Sequence, residues 1–336
     1  MALLRRLLPV NPWKALAIIL AVLNLKSLPL VWHLRLLRSL FAHIRISRTR
    51  LKTLPGPSTL FQPLITSSRS SPYECDYNLH KSNSTYFSDF DLGRLGLLVS
   101  LCGKGIDITR TQLREEMPND TSGFMTALGG VAVNFRREIK PFEKFEVWTR
   151  ILTWDRKWIY VIGHFVKPGS VKPRRYVLQP WKNSKSEPED HEVAGADKKV
   201  NVNSKPLIFA TAISKYVWKK GRLTIPPERI LRASQLLPPK AEDHETPPTS
   251  STPQPEGNSV DAANSTSISL AEKVTPDNAS EVLAASLAPK PDSSTWSWQR
   301  IEDERLRGMK IAEMYGGLEQ LNGEFKGEDG IALARS

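Results

Sequence analysis

The sequence predicts an α+β fold in which one antiparallel sheet wraps around a single, mostly buried helix. Residues 83–103 carry apolar side chains at helical spacing with few charges, and four segments suited to strands follow them. The two cysteines, Cys75 and Cys102, are too few for a disulfide framework or a four-thiolate zinc site. They fit a reducing compartment.

The first 73 residues differ from the rest of the chain in charge. They contain eleven Lys and Arg residues and no Asp or Glu, whereas the whole chain of 336 residues has a net charge of +12. The rest of the chain is therefore nearly neutral. A nucleic-acid-binding body is not expected, because that function needs a basic surface on the folded domain.

An apolar run over residues 13–32 has about the length needed to cross a bilayer core, and it begins and ends with tryptophan. Lys26 and Pro29 interrupt the run. We predict that residues 1–52 are a membrane anchor with a basic flank. The heavier basic flank follows the run, which predicts a cytosolic body, at the endoplasmic reticulum or the mitochondrion. The alternatives are a cleaved signal peptide, a mitochondrial leader or an amphipathic surface helix.

Changes in composition divide the remaining chain. Residues 53–72 are rich in Pro and Ser and are predicted to be a linker. The predicted domain covers residues 73–232, with an insertion at 170–204. Residues 233–295 are rich in Pro, Ser, Thr and Ala and are predicted to be disordered, because they cannot bury enough apolar area. A helix and tail complete the chain at 296–336.

The central helix is predicted at 83–103, where Tyr86, Phe90 and Leu97 share one face. Asp89 and Asp91 could supply a carboxylate to a site, but we interpret them as a solvated face of this helix.

Four strands follow, at residues 128–139, 144–154, 157–167 and 206–219. The turn at Asp155 and Arg156 predicts a hairpin of the second and third strands. In the fourth strand, Phe209, Ile213 and Val217 are predicted to face one side.

Residues 74–87 read ECDYNLHKSNSTYF, which resembles the signature of hotdog-fold thioesterases. That signature runs approximately Asp-x-Asp-x-x-Gly-His-x-x-Asn-x-x-Tyr and leads into a central helix. Asp76, His80, Asn83 and Tyr86 match its second acidic residue, His, Asn and Tyr. Leu79 stands where the signature has Gly.

Two further segments, 135–147 and 154–160, and both ends of the chain are similar to the THEM6-like, fungal lcsJ-type branch of this superfamily. The resemblance implies a hotdog fold and acyl-CoA thioesterase activity, with acyl-CoA or an acyl-carrier thioester as substrate. It also implies a homodimer of paired sheets, with no metal or other cofactor.

The motif has a chemical interpretation that agrees with this resemblance. Hydrolysis of a thioester needs a base or nucleophile, and we predict Asp76 in this role with His80 as a second catalytic residue. Backbone N–H groups at the start of the helix, near Asn83 and Tyr86, would stabilise the oxyanion. The structural alternatives are that Asp76 caps a turn, His80 supports the loop and Asn83 caps the helix.

Arg136 and Arg137 complete the predicted substrate-binding residues, because they could meet a phosphate group of coenzyme A; otherwise they are an exposed edge. Two other functions stay open: a catalytically silent hotdog domain that binds lipid or protein, and an acyl-thioester dehydratase or hydratase. The chain contains no Gly-x-Ser-x-Gly elbow, Walker loop or dinucleotide fingerprint.

Overall fold

A computed structural model of the chain describes residues 11–45, 56–171, 173, 176–179, 207–239 and 296–318. Of the segment 233–295, which is predicted to be disordered, residues 240–295 lie outside the described residues. Most of the predicted insertion at 170–204 and the last part of the predicted tail, 319–336, also lie outside them.

Six antiparallel strands form one sheet, in the order β1, β3, β4, β5, β2, with β6 paired to the end of β5. Its inner face packs on one long helix, which confirms the predicted α+β arrangement and the predicted hairpin of β3 and β4. The strands are β1 (Leu64–Arg69), β2 (Phe124–Phe135), β3 (Lys144–Trp154), β4 (Ile159–Val166), β5 (Ile208–Lys220) and β6 (Leu223–Ile225).

The central helix follows the two N-terminal helices described below and is numbered α3. It spans Thr85–Glu116, so it begins two residues later than predicted and continues thirteen residues beyond the predicted end. The predicted end at residue 103 was wrong because the glycines there keep helical backbone angles. Packing requires a glycine at position 105, because a Cβ there would clash with the Ile230 carbonyl oxygen of helix α4 (Pro227–Ala233). The glycine therefore permits two backbones to approach closely instead of ending the helix.

Three predictions about the strands were wrong. The first predicted strand, 128–139, is β2 and begins and ends four residues earlier. The segment 53–72, predicted to be a linker, contains β1, which pairs with β3 at the edge of the sheet. In β5 the register shifts by one residue: Phe165 pairs with Ala210, but Val166 pairs with Ile208. Phe209 is the extra residue between them, and the side chains of Phe209 and Ala210 both lie in the core. Ile213 consequently packs on the outer face of the sheet, opposite to the side that regular alternation assigns.

The outer face of the sheet is covered by helix α5 (Trp298–Gly316), which contacts β3. Ala312 joins a second apolar cluster there with Leu152, Tyr160 and Ile162. Gly308 sets the approach distance, because a Cβ at this position would meet the Leu152 carbonyl oxygen. The chain that follows the predicted disordered segment is therefore part of the folded unit.

We expect Gly308→Ala to lower the free energy of unfolding by about 1–3 kcal/mol, the usual cost of overpacking a fitted contact. Gly316→Ala is the matched control, since a Cβ at the end of the same helix meets nothing within 4 Å. Chemical denaturation of both variants measures the difference. Equal stability of the two variants would mean that α5 does not pack closely on β3.

His164 lies on the outer face of β4 and is fully buried, and neither ring nitrogen has a hydrogen-bond partner. Burial, together with the positive charge of Arg150, lowers the pKa of its imidazole to about 3. Between this value and the usual pKa near 6.5, the unfolded chain binds a proton that the folded chain does not. Stability contributed by this residue is therefore lost as the pH falls from 6.5 towards 3.

We accordingly expect the free energy of unfolding to fall by about 2 kcal/mol between pH 6.5 and pH 5 on account of His164. His164→Gln should flatten this pH dependence, whatever its effect at pH 7. His33→Gln, at an exposed position, is the control and should retain it. Parallel pH profiles for His164→Gln and the wild type would contradict the prediction.

The N-terminal segment forms two helices instead of one predicted span. Helix α1 (Pro12–Leu23) ends within the apolar run, a short turn at Leu25–Ser27 follows, and helix α2 (Val31–Arg45) begins after Pro29. None of the helices in the described ranges is long and apolar enough to cross a membrane. We call residues 12–45 the N-terminal elbow.

Candidate functional site

The predicted catalytic residues lie on a short loop that an antiparallel bridge between Cys75 and Lys81 closes. We call residues 75–81 the Asp76 loop. Inside it, the Asp76 N–H donates to the His80 carbonyl at 3.0 Å, and the Leu79 N–H donates to the Asp76 carbonyl at 3.0 Å. The backbone thus brings the two ends of the predicted catalytic pair together.

The side chains of Asp76 and His80 are adjacent and partly exposed. His80 Nδ1 lies 3.5 Å from Asp76 Oδ1, which allows an electrostatic contact but is long for a hydrogen bond. The same carboxylate oxygen accepts the Asn78 N–H at 2.9 Å. One oxygen of Asp76 therefore fixes the turn, and the carboxylate is still accessible from solvent.

The backbone conformation at Leu79 is one that the glycine of the related signature would adopt without strain. Its φ is +59°, in the left-handed region where a side chain costs energy and glycine does not. Its side chain is 74% exposed, so the substitution places an apolar group at the tip of the loop. The positive φ suits the glycine of the signature, although this chain has Leu at the position.

The start of α3 differs by two residues from the prediction. The helix begins at Thr85 with Ser84 as the N-cap residue, and Asn83 is exposed one position earlier. The Ser84 side chain makes no capping hydrogen bond, so the first-turn N–H groups of the helix are not capped by it. Asn83 therefore does not cap the helix, and its contact with substrate stays a prediction.

The other predicted substrate-binding residues lie in contrasting environments. Tyr86 is buried in the core, with its ring centroid 5.0 Å from those of Phe135 and Phe165. Arg136 and Arg137 are exposed just after β2. The backbone N–H group of each donates to the Phe209 carbonyl. Their roles towards substrate stay predictions, with the arginines free to meet an anion and Tyr86 placed to shape the core.

A buried group of charges beside the Asp76 loop was not predicted from the sequence. We call it the charge cluster, and its members are Lys26, Arg35, Glu74, Lys81 and Asp89. The Lys81 side chain is fully buried, and its Nζ lies 3.0 Å from Asp89 and 3.3 Å from Glu74. Asp89, interpreted above as solvated, is thus buried among cations.

The electrostatics of the charge cluster favour the ionised form of Asp89, whereas burial acts against the charge of Lys26. Burial opposes ionisation of Asp89, but Lys81, Lys26 and Arg35 outweigh it and lower the pKa of Asp89 to about 2. Burial lowers the pKa of Lys26. Lys81 Nζ also lies 5.2 Å from the centroid of the Phe145 ring, which adds a cation–π contact.

The N-terminal elbow supplies two of these cations and holds the chain that leads into Asp76. Lys26 Nζ donates to Glu74 at 2.9 Å and to Asp89 at 2.8 Å. The Asn24 side chain accepts the Tyr73 N–H at 2.7 Å, and the hydroxyls of Ser27 and Ser71 lie 2.7 Å apart. The elbow is therefore part of the structure around the candidate site.

Helix α2 continues this attachment along α3. His43 Nδ1 lies 2.8 Å from the Ser100 hydroxyl. A Cβ at Gly96 would approach the His43 ring, so the glycine allows the two helices to pack closely. Sequence reasoning missed this contact because the elbow looked like a separate anchor.

Comparison with known proteins agrees with this fold. A model of the Thioesterase-like superfamily matches residues 70–180. Thioesterase poxG of Penicillium oxalicum is 32% identical over 94% of this chain and 88% of its own length. Thioesterase lcsJ of Purpureocillium lilacinum is 28% identical over 88% of this chain and 87% of its own, and Protein THEM6 of Xenopus laevis is 30% identical over 28% and 40%.

The sheet around a central helix and the Asp76 loop at its start define a hotdog domain of the thioesterase type. The chain belongs to the thioesterase-like (hotdog) superfamily, as similarity along almost its whole length to a fungal thioesterase shows. The resemblance predicted from the motif is confirmed, including its fungal and THEM6-like relatives.

Proposed function

We propose that this protein hydrolyses acyl thioesters and that Asp76 is the base or nucleophile. The observation that carries this proposal is the geometry of the Asp76 loop. One oxygen of the Asp76 carboxylate is held by the Asn78 N–H, the group is accessible, and His80 lies beside it. The fungal relatives named above are thioesterases, which supports the same reaction class.

In this reaction Asp76 either accepts a proton from the attacking water or attacks the thioester carbonyl itself. The carbon–sulfur bond then breaks, which releases a thiol and, after addition of water, a carboxylic acid. First-turn N–H groups of α3 are suited to stabilise the negative oxygen of the intermediate. His80 is suited to orient the water or the carboxylate.

Coenzyme A is the carrier that we propose, with an acyl-carrier protein as the alternative. Its phosphate groups need cationic partners, and Arg136 and Arg137 are exposed at the end of β2. Lys81 cannot take this role, since its side chain is buried in the charge cluster.

We further propose a homodimer formed through β2. This strand is the last in the sheet order, and its exposed residues include Met125, Leu128 and Phe135. An apolar strand of twelve residues at a sheet edge is a template for pairing with another strand. A strictly monomeric protein in light scattering at micromolar concentration would contradict this assembly.

Attachment to a membrane with the body in the cytosol is also proposed, because the elbow is basic and exposes many apolar side chains.

The direct test of thioester hydrolysis, the main proposal, is thiol release by the full-length protein in mild detergent. Acyl-CoA substrates with short, medium and long chains should be compared. Release that exceeds the uncatalysed rate for at least one chain length is expected.

A catalytically silent hotdog domain is the second candidate, and one observation favours it. Leu79 places a large exposed side chain where the signature has glycine. Binding of acyl-CoA in a calorimetric titration, without thiol release for any chain length, would support this candidate and overturn hydrolysis. Leu79→Gly should then be compared, because it removes the obstructing group and relieves the positive φ.

A further inference from the structure

Helix α1 is largely uncovered within the described residues. None of its residues is buried, and the exposed side chains include Trp13, Ile18, Ile19, Leu20 and Val22. Lys14 is its only charged residue. A helix that is apolar all round is stable only where apolar groups surround it on every side. A protein partner covers one face of a helix, whereas lipid chains surround it.

Helix α2 presents a second apolar surface, and this one has a direction. Its body-facing side packs on α3, as described above. The opposite side exposes an apolar stripe that begins just before the helix, at Leu30, and continues with Leu34, Leu37 and Phe41 at helical spacing. The stripe therefore points away from the protein.

Charge selects the kind of partner that this surface fits. Residues 1–73 contain no acidic side chain, and His33, Arg38 and Arg45 flank the outward stripe of α2. An apolar face beside basic residues is typical of helices that lie at the surface of an anionic bilayer. The length of helix α1 favours binding at the bilayer surface over a transmembrane span. Its twelve residues extend about 18 Å, whereas the hydrocarbon core of a bilayer is about 30 Å thick.

We propose that the N-terminal elbow is a one-sided membrane-docking surface that holds the Asp76 loop at the lipid surface. In this arrangement α1 enters a single leaflet, and α2 lies along the interface with its stripe towards the lipid. The proposal rests on the membrane attachment proposed above and does not depend on hydrolysis.

The orientation of the body follows from the contacts between the elbow and the loop. Asn24, at the end of α1, binds the Tyr73 N–H, and Lys26 binds Glu74 directly before the Asp76 loop. Tyr73 and Tyr77 are 78% and 92% exposed, and tyrosine is favoured at membrane interfaces. In the proposed arrangement the candidate site therefore lies beside the lipid surface, on which long-chain acyl thioesters gather.

Flotation with preformed vesicles tests the docking. Full-length protein should float with vesicles of phosphatidylcholine and phosphatidylserine, and less with phosphatidylcholine alone. The double variant Leu34→Glu and Leu37→Glu should bind at least about tenfold more weakly, since burial of the exposed parts of the two leucine side chains together contributes about that factor or more. Leu306→Glu is the matched control: Leu306 on α5 and Leu37 are each 47% exposed.

An epitope tag at the N-terminus distinguishes docking from spanning. Protease added outside the vesicles should remove the tag if α1 stays in one leaflet. A tag protected inside the vesicles, equal flotation of the double variant and the wild type, or no flotation of the wild type would each overturn the proposal. Flotation uses no substrate, so its result is independent of the thiol-release assay. A protein that floats with vesicles but releases no thiol in that separate assay would contradict hydrolysis and leave membrane docking supported.

Discussion

Asp76→Asn is expected to lower thioester turnover by about 10²-fold or more, which is the usual effect of removing a general base. Asparagine keeps the size of the side chain, and its carbonyl oxygen can still accept the Asn78 N–H that closes the turn. The loss would therefore report the missing negative charge and not a collapsed loop. Thiol release and acyl-CoA binding should be measured on the same preparation, with binding retained.

The matched control for this variant is Asp155→Asn. The Asp155 carboxylate accepts the Lys157 N–H at 2.7 Å, so it closes a turn in the same way, but on the β3–β4 hairpin. It should leave turnover unchanged. Asp76→Glu should also be poor because its longer side chain displaces the carboxylate, and His80→Ala should cost less if His80 only orients. Normal turnover in Asp76→Asn would remove Asp76 from the mechanism.

The second large effect is expected on stability, from Lys81→Met. This change leaves Asp89 and Glu74 with too little positive charge in a buried environment, and breaking a buried ion pair in this way costs about 3–5 kcal/mol. Chemical denaturation of the full-length protein measures the loss. Lys144→Met, at an exposed position at the start of β3, is the control and should change stability little.

Adding Asp89→Leu to Lys81→Met should recover part of this loss, because the unpaired carboxylate is then absent. The double variant should therefore cost clearly less than the sum of the two single changes. Additive effects, or a loss from Lys81→Met as small as that from Lys144→Met, would mean that the charge cluster does not stabilise the folded protein.

The sheet and the central helix could be predicted because their signals are local. The strand predicted at 144–154 has the bounds of β3, and the turn at Asp155 and Arg156 indicated the hairpin. The helix end was missed because Gly105 looks like a stop signal in sequence, while its role depends on Ile230, more than one hundred residues later. The face of Ile213 was missed because a bulge changes alternation without leaving a residue signature.

The candidate site was predicted in part for the same reason. Asp76 and His80 belong to one short loop, so a motif can locate both. The charge cluster joins Lys26, Glu74 and Asp89 from three separate segments, and no pattern in one segment reveals such a group. A lysine inside an apolar run looked like an imperfection in a membrane span, whereas the fold uses it as a buried counter-ion.

The position of Lys26 has a consequence for maturation of the protein. Proteolytic removal of residues 1–52, as for a leader or in laboratory trimming, would take away Lys26 and Arg35 together. Within the described part of the chain, Lys81 would then be the cation left beside Asp89 and Glu74, and the α3 surface around Gly96 and Ser100 would lose its contact with His43. We expect a protein trimmed in this way to have fewer cations around Asp89 and Glu74 and a less firmly held Asp76 loop.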